Sequence, residues 1–204
     1  MSRKARVLSE NTYYHVYNRG VNKGDIFWDD YDKQLFLRML IEVKRRFELQ
    51  LFAYCLMQNH FHLFVHTRHA NLNVAMRELL RRYVWYINAR HGRVGPLFQS
   101  RYQSKPIDSD PYAIWLVNYI HRNPIEAGMS SRCSGYAWSS YRYYVDSQHS
   151  PKWLDAAWVL AQFHDNPSLA QQLFVKFHQG VPGQPGQPVP TFDFPKLFSE
   201  TVPG

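Results

Sequence analysis

The sequence predicts an α+β fold, in which helices pack on one face of an antiparallel sheet and a small helical extension follows at the C-terminus. Short segments rich in aromatic residues alternate between apolar and polar positions, as strands do. Longer segments repeat apolar residues at helical spacing. The two kinds of segment follow one another in the order β-α-β-β-α-(β)-α, and this order is typical of the predicted fold.

The first third of the chain supplies three strands and one helix. Residues 12–18, "TYYHVYN", alternate as a strand does. From Asp29 to Phe47 the apolar residues recur at helical spacing, and basic residues occupy the last turns, where they interact favourably with the helix dipole. Residues 49–57 and 60–67 predict two strands that are joined by the short turn "QN" and therefore form an antiparallel hairpin.

Two further helices flank an extended segment. Residues 71–92 predict a long helix that is closed by its terminal glycine, and residues 95–107 predict irregular or extended chain that could form an edge strand. The next helix is expected to begin with Asp110 as its N-cap. It should end at or near Asn123, because a residue that precedes a proline disfavours the α conformation.

The C-terminal part differs in composition. Residues 151–180 predict two short helices around the sequence "DNPS". A linker rich in proline, glycine and glutamine follows, and then an apolar tail. We therefore expect a main domain over residues 1–145, a helical extension over 146–180, and a linker with a flexible tail over 181–204.

The charge distribution favours a nucleic-acid partner. The net charge is +8. Residues 1–145 carry 21 Lys and Arg against 11 Asp and Glu, or +10, whereas residues 146–204 carry 3 against 5, or −2. A basic, aromatic-rich domain suits a polyphosphate, although a basic surface that only keeps the protein soluble would have the same charge.

The remaining bulk properties point to the cytoplasm. No apolar run approaches the ~20 residues that span a bilayer, so no membrane association is expected. The N-terminal segment has charges but no apolar stretch behind them, unlike a signal peptide. The two cysteines, Cys55 and Cys133, are too few for a disulfide framework.

Three histidines share one face of the predicted strand 60–67. Alternation directs His60, His62 and His66 to the face opposite the apolar set. Positions two apart lie ~6.6 Å apart along a strand, so His60 and His62 can bind one metal ion, whereas His66, ~13 Å from His62, cannot join them. A half-exposed polar surface would show the same pattern. The apolar set, which should face the core, is Phe61, Leu63 and Val65.

Tyr119 and Asn123 lie four residues apart on one side of the helix that begins near residue 110. Tyr119 falls at the boundary of the buried stripe, where its ring is held while its hydroxyl stays reachable. Asn123 has a carbonyl oxygen that can bind a metal. In a chain with 14 tyrosines, however, a boundary tyrosine can also serve packing alone. The predicted stripe is Ala113, Leu116, Val117 and Ile120.

Four segments, "YYHVYNRG", "YCLMQNHFHLFV", "GPLFQSRYQSKPI" and "YIHRNPIEAGM", resemble in this order the REP-associated tyrosine transposases (RAYTs), a subgroup of the single-tyrosine HUH transposases. The resemblance covers roughly residues 12–144. One departure is Gln58, which stands where the family usually has proline; it alters a turn and not a ligand.

The resemblance implies a ferredoxin-like fold and a site of four residues. His60 and His62 correspond to the HUH pair, Tyr119 to the nucleophile, and Asn123 to the third metal ligand. It also implies a divalent metal, Mg²⁺ or Mn²⁺, and a substrate of single-stranded DNA beside imperfect palindromic hairpins. A metal would neutralise the anionic phosphodiester, and attack by tyrosine would conserve the bond energy in a 5′-phosphotyrosine for rejoining.

Basic side chains are candidates for phosphate contacts, and aromatic rings near the sheet, namely Tyr13, Phe64 and Tyr102, for stacking on unpaired bases. Two other functions stay open, a hairpin-binding regulator that does not cut and a metal-dependent hydrolase that uses water. By analogy with the RAYT subgroup, a monomer is favoured over a dimer. The candidate DNA-binding residues are Arg3, Lys4, Arg6, Arg19, Arg77, Arg81, Arg101 and Lys105.

Overall fold

The computed structural model describes residues 8–146 and 149–179. It contains a four-stranded antiparallel sheet with the strand order β2-β3-β1-β4, which confirms the predicted α+β class. The elements are β1 (Thr12–Arg19), α1 (Asp30–Arg46), β2 (Leu49–Met57), β3 (His60–Thr67), α2 (Leu72–Arg90), β4 (Gln103–Ile107), α3 (Asp110–Glu126), α4 (Tyr141–Val145), α5 (Ala156–Ala161) and α6 (Pro167–Gln179).

The described residues group into two compact units. The first comprises residues 8–51 and 56–106, and the second comprises residues 52–55 together with the described residues from 107 onward. The domain division at residues 145 and 180 stays a prediction. The linker and tail at 181–204 lie outside the described residues.

The predicted strand parity is confirmed in the first unit. Phe61, Leu63 and Val65 are buried. The ring of Phe61 lies 5.1 Å from that of Phe36 on α1, which in turn lies 5.0 Å from Tyr83 on α2. Helices α1 and α2 therefore cover the sheet face that carries this apolar set, and the histidines of β3 point to the opposite face.

The first two helices begin and end close to the predicted residues. The Asp29 side chain accepts a hydrogen bond from the backbone N–H of Asp32 and caps α1. Helix α2 ends at Arg90, and Gly92 adopts φ +59° just beyond it, as expected of a glycine that terminates a helix. Strand β4 occupies the second half of the predicted extended segment and lies at the sheet edge.

The predicted bounds of α3 are wrong at both ends. Its N-cap is Ser109, one residue before the predicted Asp110. The helix also continues through Pro124 to Glu126. A proline removes one backbone N–H, and the next turn still forms, because the N–H of Ala127 donates to the carbonyl of Asn123 at 3.0 Å.

The second unit has an aromatic core. The rings of Tyr144 and Phe174 stack 4.6 Å apart, and the ring of Phe163 lies 5.6 Å from that of Phe174. Helices α5 and α6 confirm the two short helices predicted for this region. Helix α4 has no counterpart among the predicted elements, because five residues are too few to show helical periodicity. Within the part of the chain that the structure describes, no helix combines the length and apolarity that a membrane span requires.

Candidate functional site

Two histidine side chains meet on one face of β3. The ring centroids of His60 and His62 lie 5.1 Å apart and the ring planes are nearly perpendicular, at 86°. His62 is buried, with 7% of its surface exposed, and His60 is half-buried. His66 instead contacts the ring of Tyr13, at 4.5 Å. The two histidines that the sequence pairs are therefore close in space.

A third histidine, which the sequence analysis did not select, joins this pair from β1. The antiparallel register places Tyr17 opposite His62 and His15 opposite Phe64, so His15 is a diagonal neighbour of His62. His15 Nε2 lies 2.9 Å from His62 Nδ1, within hydrogen-bond distance. The sequence carries no direct signal of this contact, because the contact depends on the register that places Tyr17 opposite His62.

Both bonded histidines are neutral at neutral pH. Burial holds the pKa of His62 well below the usual value of a histidine, and positive charge on the neighbouring His15 and His60 would lower it further. Burial, with a smaller effect from the Lys105 ammonium, lowers the pKa of His15 to about 3. One neutral ring therefore donates its N–H to the lone pair of the other, and a neutral imidazole is the form that binds a metal.

The turn before β3 orients His60. The Nδ1–H of His60 donates to Oδ1 of Asn59 at 2.6 Å, and the Asn59 amide donates to the carbonyl of Lys23 at 3.0 Å. This bond assigns the proton to Nδ1, so Nε2 is the nitrogen through which His60 would bind a cation. Gln58 of the same turn donates to a carboxylate oxygen of Asp25.

Tyr119 occupies the predicted boundary position on α3. It is half-buried, and the predicted stripe is buried. Its ring stacks on Trp115 with centroids 5.5 Å apart and planes at 5°, and Trp115 stacks in the same way on Tyr112, at 5.6 Å and 10°. Three parallel rings along one side of the helix therefore restrict the orientation of the Tyr119 phenol.

The amide of Asn123 is also oriented within α3. Its Nδ2 donates to the backbone carbonyl of Tyr119 at 2.9 Å. This bond identifies the nitrogen end of the side chain, so Oδ1 is the atom that Asn123 can present to a cation. Tyr119 and Asn123 belong to the second unit, whereas His60 and His62 belong to the first.

The donor atoms fit a divalent cation. Nowhere in the described ranges do three or more His, Cys, Asp or Glu side chains form a group that could hold a metal ion. The two imidazoles belong to the first unit and the Asn123 oxygen to the second, and a cation held by all three stays a prediction. The hydrogen bond that His60 donates through Nδ1 makes Nε2 its ligating atom. The same holds for His62 in the tautomer whose Nδ1–H donates to His15.

The candidate DNA-binding residues fall in several places. Arg77, Arg81 and Arg101 line one cavity of the first unit. Lys105 is exposed on β4, close enough to His15 to influence its pKa. Arg19 lies opposite His60 in the β1–β3 register. The remaining three, Arg3, Lys4 and Arg6, lie outside the described residues.

Two of the three aromatic candidates for base stacking are buried. Phe64 has 0% of its surface exposed, so the expectation that it stacks on DNA bases is wrong. Tyr102 lines the same cavity as the three arginines but is itself buried. Tyr13 is half-buried against Phe64 and His66. Strand parity distinguishes the two faces of a sheet but does not reveal what covers each face.

Comparisons with known proteins identify relatives of this chain. A family model described as "Transposase IS200 like" matches residues 8–123. The solved structure of a REP-associated tyrosine transposase bound to a REP hairpin aligns with a TM-score of 0.61 at 19% identity, over 74% of this chain and 89% of that one. A putative transposase from Deinococcus radiodurans R1 aligns with a TM-score of 0.36 at 17% identity, over 59% and 97%. No curated protein matches. The first of these structures shares the fold.

Proposed function

Because the chain belongs to the IS200-like transposase family, we propose that it is a metal-dependent single-stranded DNA endonuclease and strand transferase that acts at REP-type hairpins. The observation that carries this proposal is the His60–His62 pair, two adjacent imidazoles whose Nδ1 atoms are both engaged by neighbouring side chains. A surface histidine pair without function would not require such support.

Tyr119 is the nucleophile in this mechanism. Its phenolic oxygen attacks the phosphorus of a DNA phosphodiester, the bond from phosphorus to the 3′ oxygen breaks, and the products are a 5′-phosphotyrosine and a free 3′-OH. The phenol releases its proton to solvent, and the leaving 3′ oxygen takes one up. Attack by another 3′-OH reverses the step, restores the phenol and joins the strands without ATP.

His60, His62 and Asn123 would hold Mg²⁺ or Mn²⁺. Such an ion, when bound, neutralises phosphate charge and orients the group for in-line attack. Imidazole ligands suit Mn²⁺ better than Mg²⁺, which prefers oxygen. His15 and Asn59 support the two histidines and are positioning residues.

The substrate in this proposal is DNA with an imperfect palindromic hairpin, in a bacterial cytoplasm. The structural neighbour was solved with a REP hairpin bound. The basic candidates on this chain, among them Arg77, Arg81, Arg101 and Lys105, would bind the phosphates without reading sequence. A monomer acting on one hairpin is the simplest assembly.

The test is covalent capture of DNA. The protein is incubated with a labelled hairpin oligonucleotide that carries single-stranded flanks, with Mn²⁺ or Mg²⁺, and the products are separated on a denaturing gel. We expect an adduct that Tyr119→Phe abolishes and that His60→Gln and His62→Gln reduce. Tyr112→Phe is the matched control, because it removes a hydroxyl from the same stack of rings and should leave the adduct intact.

Each alternative function predicts a different gel. A hairpin-binding regulator would shift the DNA on a native gel but give neither cleavage nor adduct. A hydrolase that uses water would cleave the DNA, and the cleavage would survive Tyr119→Phe. Either result would overturn the proposal.

A further inference from the structure

The first unit contains a cavity of about 850 Å³ beside α2. This volume lies within the range of about 300–1,000 Å³ that is common for ligand sites. Its α2 residues recur at intervals of three or four, so one continuous stripe of the helix forms a wall. The stripe is Asn73, Met76, Arg77, Leu80, Arg81, Val84, Trp85 and Asn88, and the other lining residues are Asn18, Phe98, Ser100, Arg101 and Tyr102.

Three arginines give this cavity a concentrated positive charge. Within the described ranges, Arg77, Arg81 and Arg101 form no ion pair, and none of the described residues that line the cavity is acidic. The other side of α2 is different, since Arg82 donates to Glu42 at 2.7 Å. Cations that lack carboxylate partners inside one concave surface favour an anionic ligand.

The cavity also presents an exposed aromatic face. Trp85 has 76% of its surface exposed, which is costly for a large apolar ring in water unless a ligand covers it. Leu80, Val84 and Phe98 extend this apolar surface within the cavity. A nucleotide fits both properties, because its flat base can cover the indole while its phosphate pairs with the arginines.

Hydrogen bonds hold the opposite wall in place. The Asn18 amide donates to the carbonyl of Ser100 at 3.2 Å, and the N–H of Gln99 donates to the carbonyl of Arg19 at 3.0 Å. The Asn88 amide donates to the carbonyl of Gly95 at 3.1 Å and ties the end of α2 to the same segment. The cavity is therefore preformed rather than created by a ligand.

We propose that this cavity binds unpaired nucleotides of the DNA strand that adjoins the hairpin. A base stacks on Trp85, and the flanking phosphates pair with Arg77, Arg81 and Arg101. Double-stranded DNA fits less well, because its bases stack on each other and leave no face for the indole. The inference rests on the proposed function, since it assigns a binding site for the single-stranded part of the same substrate.

The experiment compares two DNA probes on the full-length protein, with EDTA present so that binding occurs without metal. One probe is a blunt hairpin, and the other is the same hairpin with a short unpaired thymidine extension. We expect Trp85→Ala to weaken binding of the extended hairpin about 5- to 150-fold, the range for loss of one base–aromatic stack, and to leave the blunt hairpin unchanged. Trp85→Phe, which retains an aromatic ring, should recover most of the loss.

The arginines are tested through salt dependence. In the double variant Arg77→Gln and Arg81→Gln, the slope of log affinity against log salt for the extended hairpin should fall by about 0.7 for each lost phosphate contact. Arg45→Gln is the matched control, because Arg45 is exposed on α1 and does not line the cavity. It should leave the slope unchanged.

The outcomes separate this inference from the proposed function. Equal losses on both probes, or no loss with Trp85→Ala, would overturn the cavity assignment even if the wild-type protein still forms its Tyr119 adduct. Failure of the wild-type protein to bind either probe or to form an adduct would overturn both. The wild-type protein could also bind both probes and show the expected effects of the Trp85 and arginine variants, yet form no adduct. That result would support the cavity as a DNA-binding site and reject the nuclease function.

Discussion

His15 Nε2 and His62 Nδ1 lie 2.9 Å apart and join β1 to β3 beside the His60–His62 pair. When Nδ1 of His62 donates this bond, Nε2 of His62 has the lone pair that can bind a cation. Both rings are buried, and both are uncharged at neutral pH because burial lowers their pKa values. In the proposed metal site, His15 would therefore act through His62.

Replacing His15 with Phe should weaken metal binding while leaving the nucleophile in place. Outer partners of metal-bound histidines typically contribute about 10- to 100-fold to metal affinity. We expect the Mn²⁺ concentration for half-maximal adduct formation to rise by that factor, with a maximal rate that recovers at saturating metal. Tyr17→Phe is the control, because Tyr17 stacks on His62 at 5.7 Å and its ring is retained. An unchanged Mn²⁺ dependence in His15→Phe would contradict this role.

Gly20→Ala should disturb the turn that orients His60. A β-carbon at Gly20 would overlap the carbonyl oxygen of Gly24, and the N–H of Gly20 donates to the carbonyl of Asn59 at 2.9 Å. We expect a loss of about 1–3 kcal/mol in the free energy of unfolding by urea, the usual cost of overpacking. The Mn²⁺ concentration for half-maximal adduct formation should also rise. Val94→Ala is the control, since Val94 is 98% exposed. Wild-type stability in Gly20→Ala would show that the turn adapts.

Local patterns were enough to predict the hairpin and the pairing of His60 with His62. Alternation along one strand depends only on the backbone, so the faces of β3 could be assigned without any partner. The contribution of His15 could not be predicted, because it depends on the register between β1 and β3, which are far apart in sequence. Nor could helical spacing alone show that α3 continues past Pro124, where the hydrogen bonds of the next turn decide the end.

The charges along α2 were likewise only partly predictable from the sequence. The sequence marks Arg77, Arg81 and Arg82 as one basic cluster. In the structure Arg82 is neutralised by Glu42 of α1, whereas Arg77 and Arg81 line the cavity. Helical spacing separates the faces, but only the packing of α1 against α2 determines which face has carboxylate partners.

Trp115 should affect the rate of adduct formation through the orientation of Tyr119. The parallel stack at 5.5 Å holds the phenol, and such a pair contributes about 0.5–1.5 kcal/mol. We expect Trp115→Leu to lower the single-turnover rate at saturating Mn²⁺ about 2- to 12-fold. Trp115→Phe keeps the stack and should stay near the wild-type rate. It also removes no hydrogen bond within the part of the chain that the structure describes, because the buried Nε1 has no partner there. Equal rates in Trp115→Leu and the wild type would remove Trp115 from the mechanism.

A directional chain of hydrogen bonds in the second unit should make stability depend on pH. The Nδ1–H of His178 donates to the carbonyl of Phe174 at 2.8 Å, so its Nε2 accepts from the Nδ1–H of His121 at 3.0 Å. His121 Nε2 then accepts from the hydroxyl of Ser140 at 2.7 Å. Both imidazoles are neutral in this arrangement, and a proton added to either would break it.

Burial lowers the pKa of His178 to about 3; the positive charge of Arg122 also lowers it, while the bond to Phe174 partly opposes the shift. The unfolded chain, with an ordinary histidine pKa of about 6.5, therefore binds a proton that the folded protein does not between pH 6.5 and pH 3. The free energy of unfolding should fall as pH decreases through this window, by up to about 1.4 kcal/mol per pH unit for this group. Above pH 6.5, His178 should contribute no pH dependence to the stability. Urea unfolding at several pH values measures the slope. His178→Leu should reduce the slope, and the rest would persist because burial also lowers the pKa values of His121, His15 and His62. The exposed His164→Gln should leave the slope unchanged. A wild-type slope that His178→Leu leaves unchanged would show that His178 does not cause it.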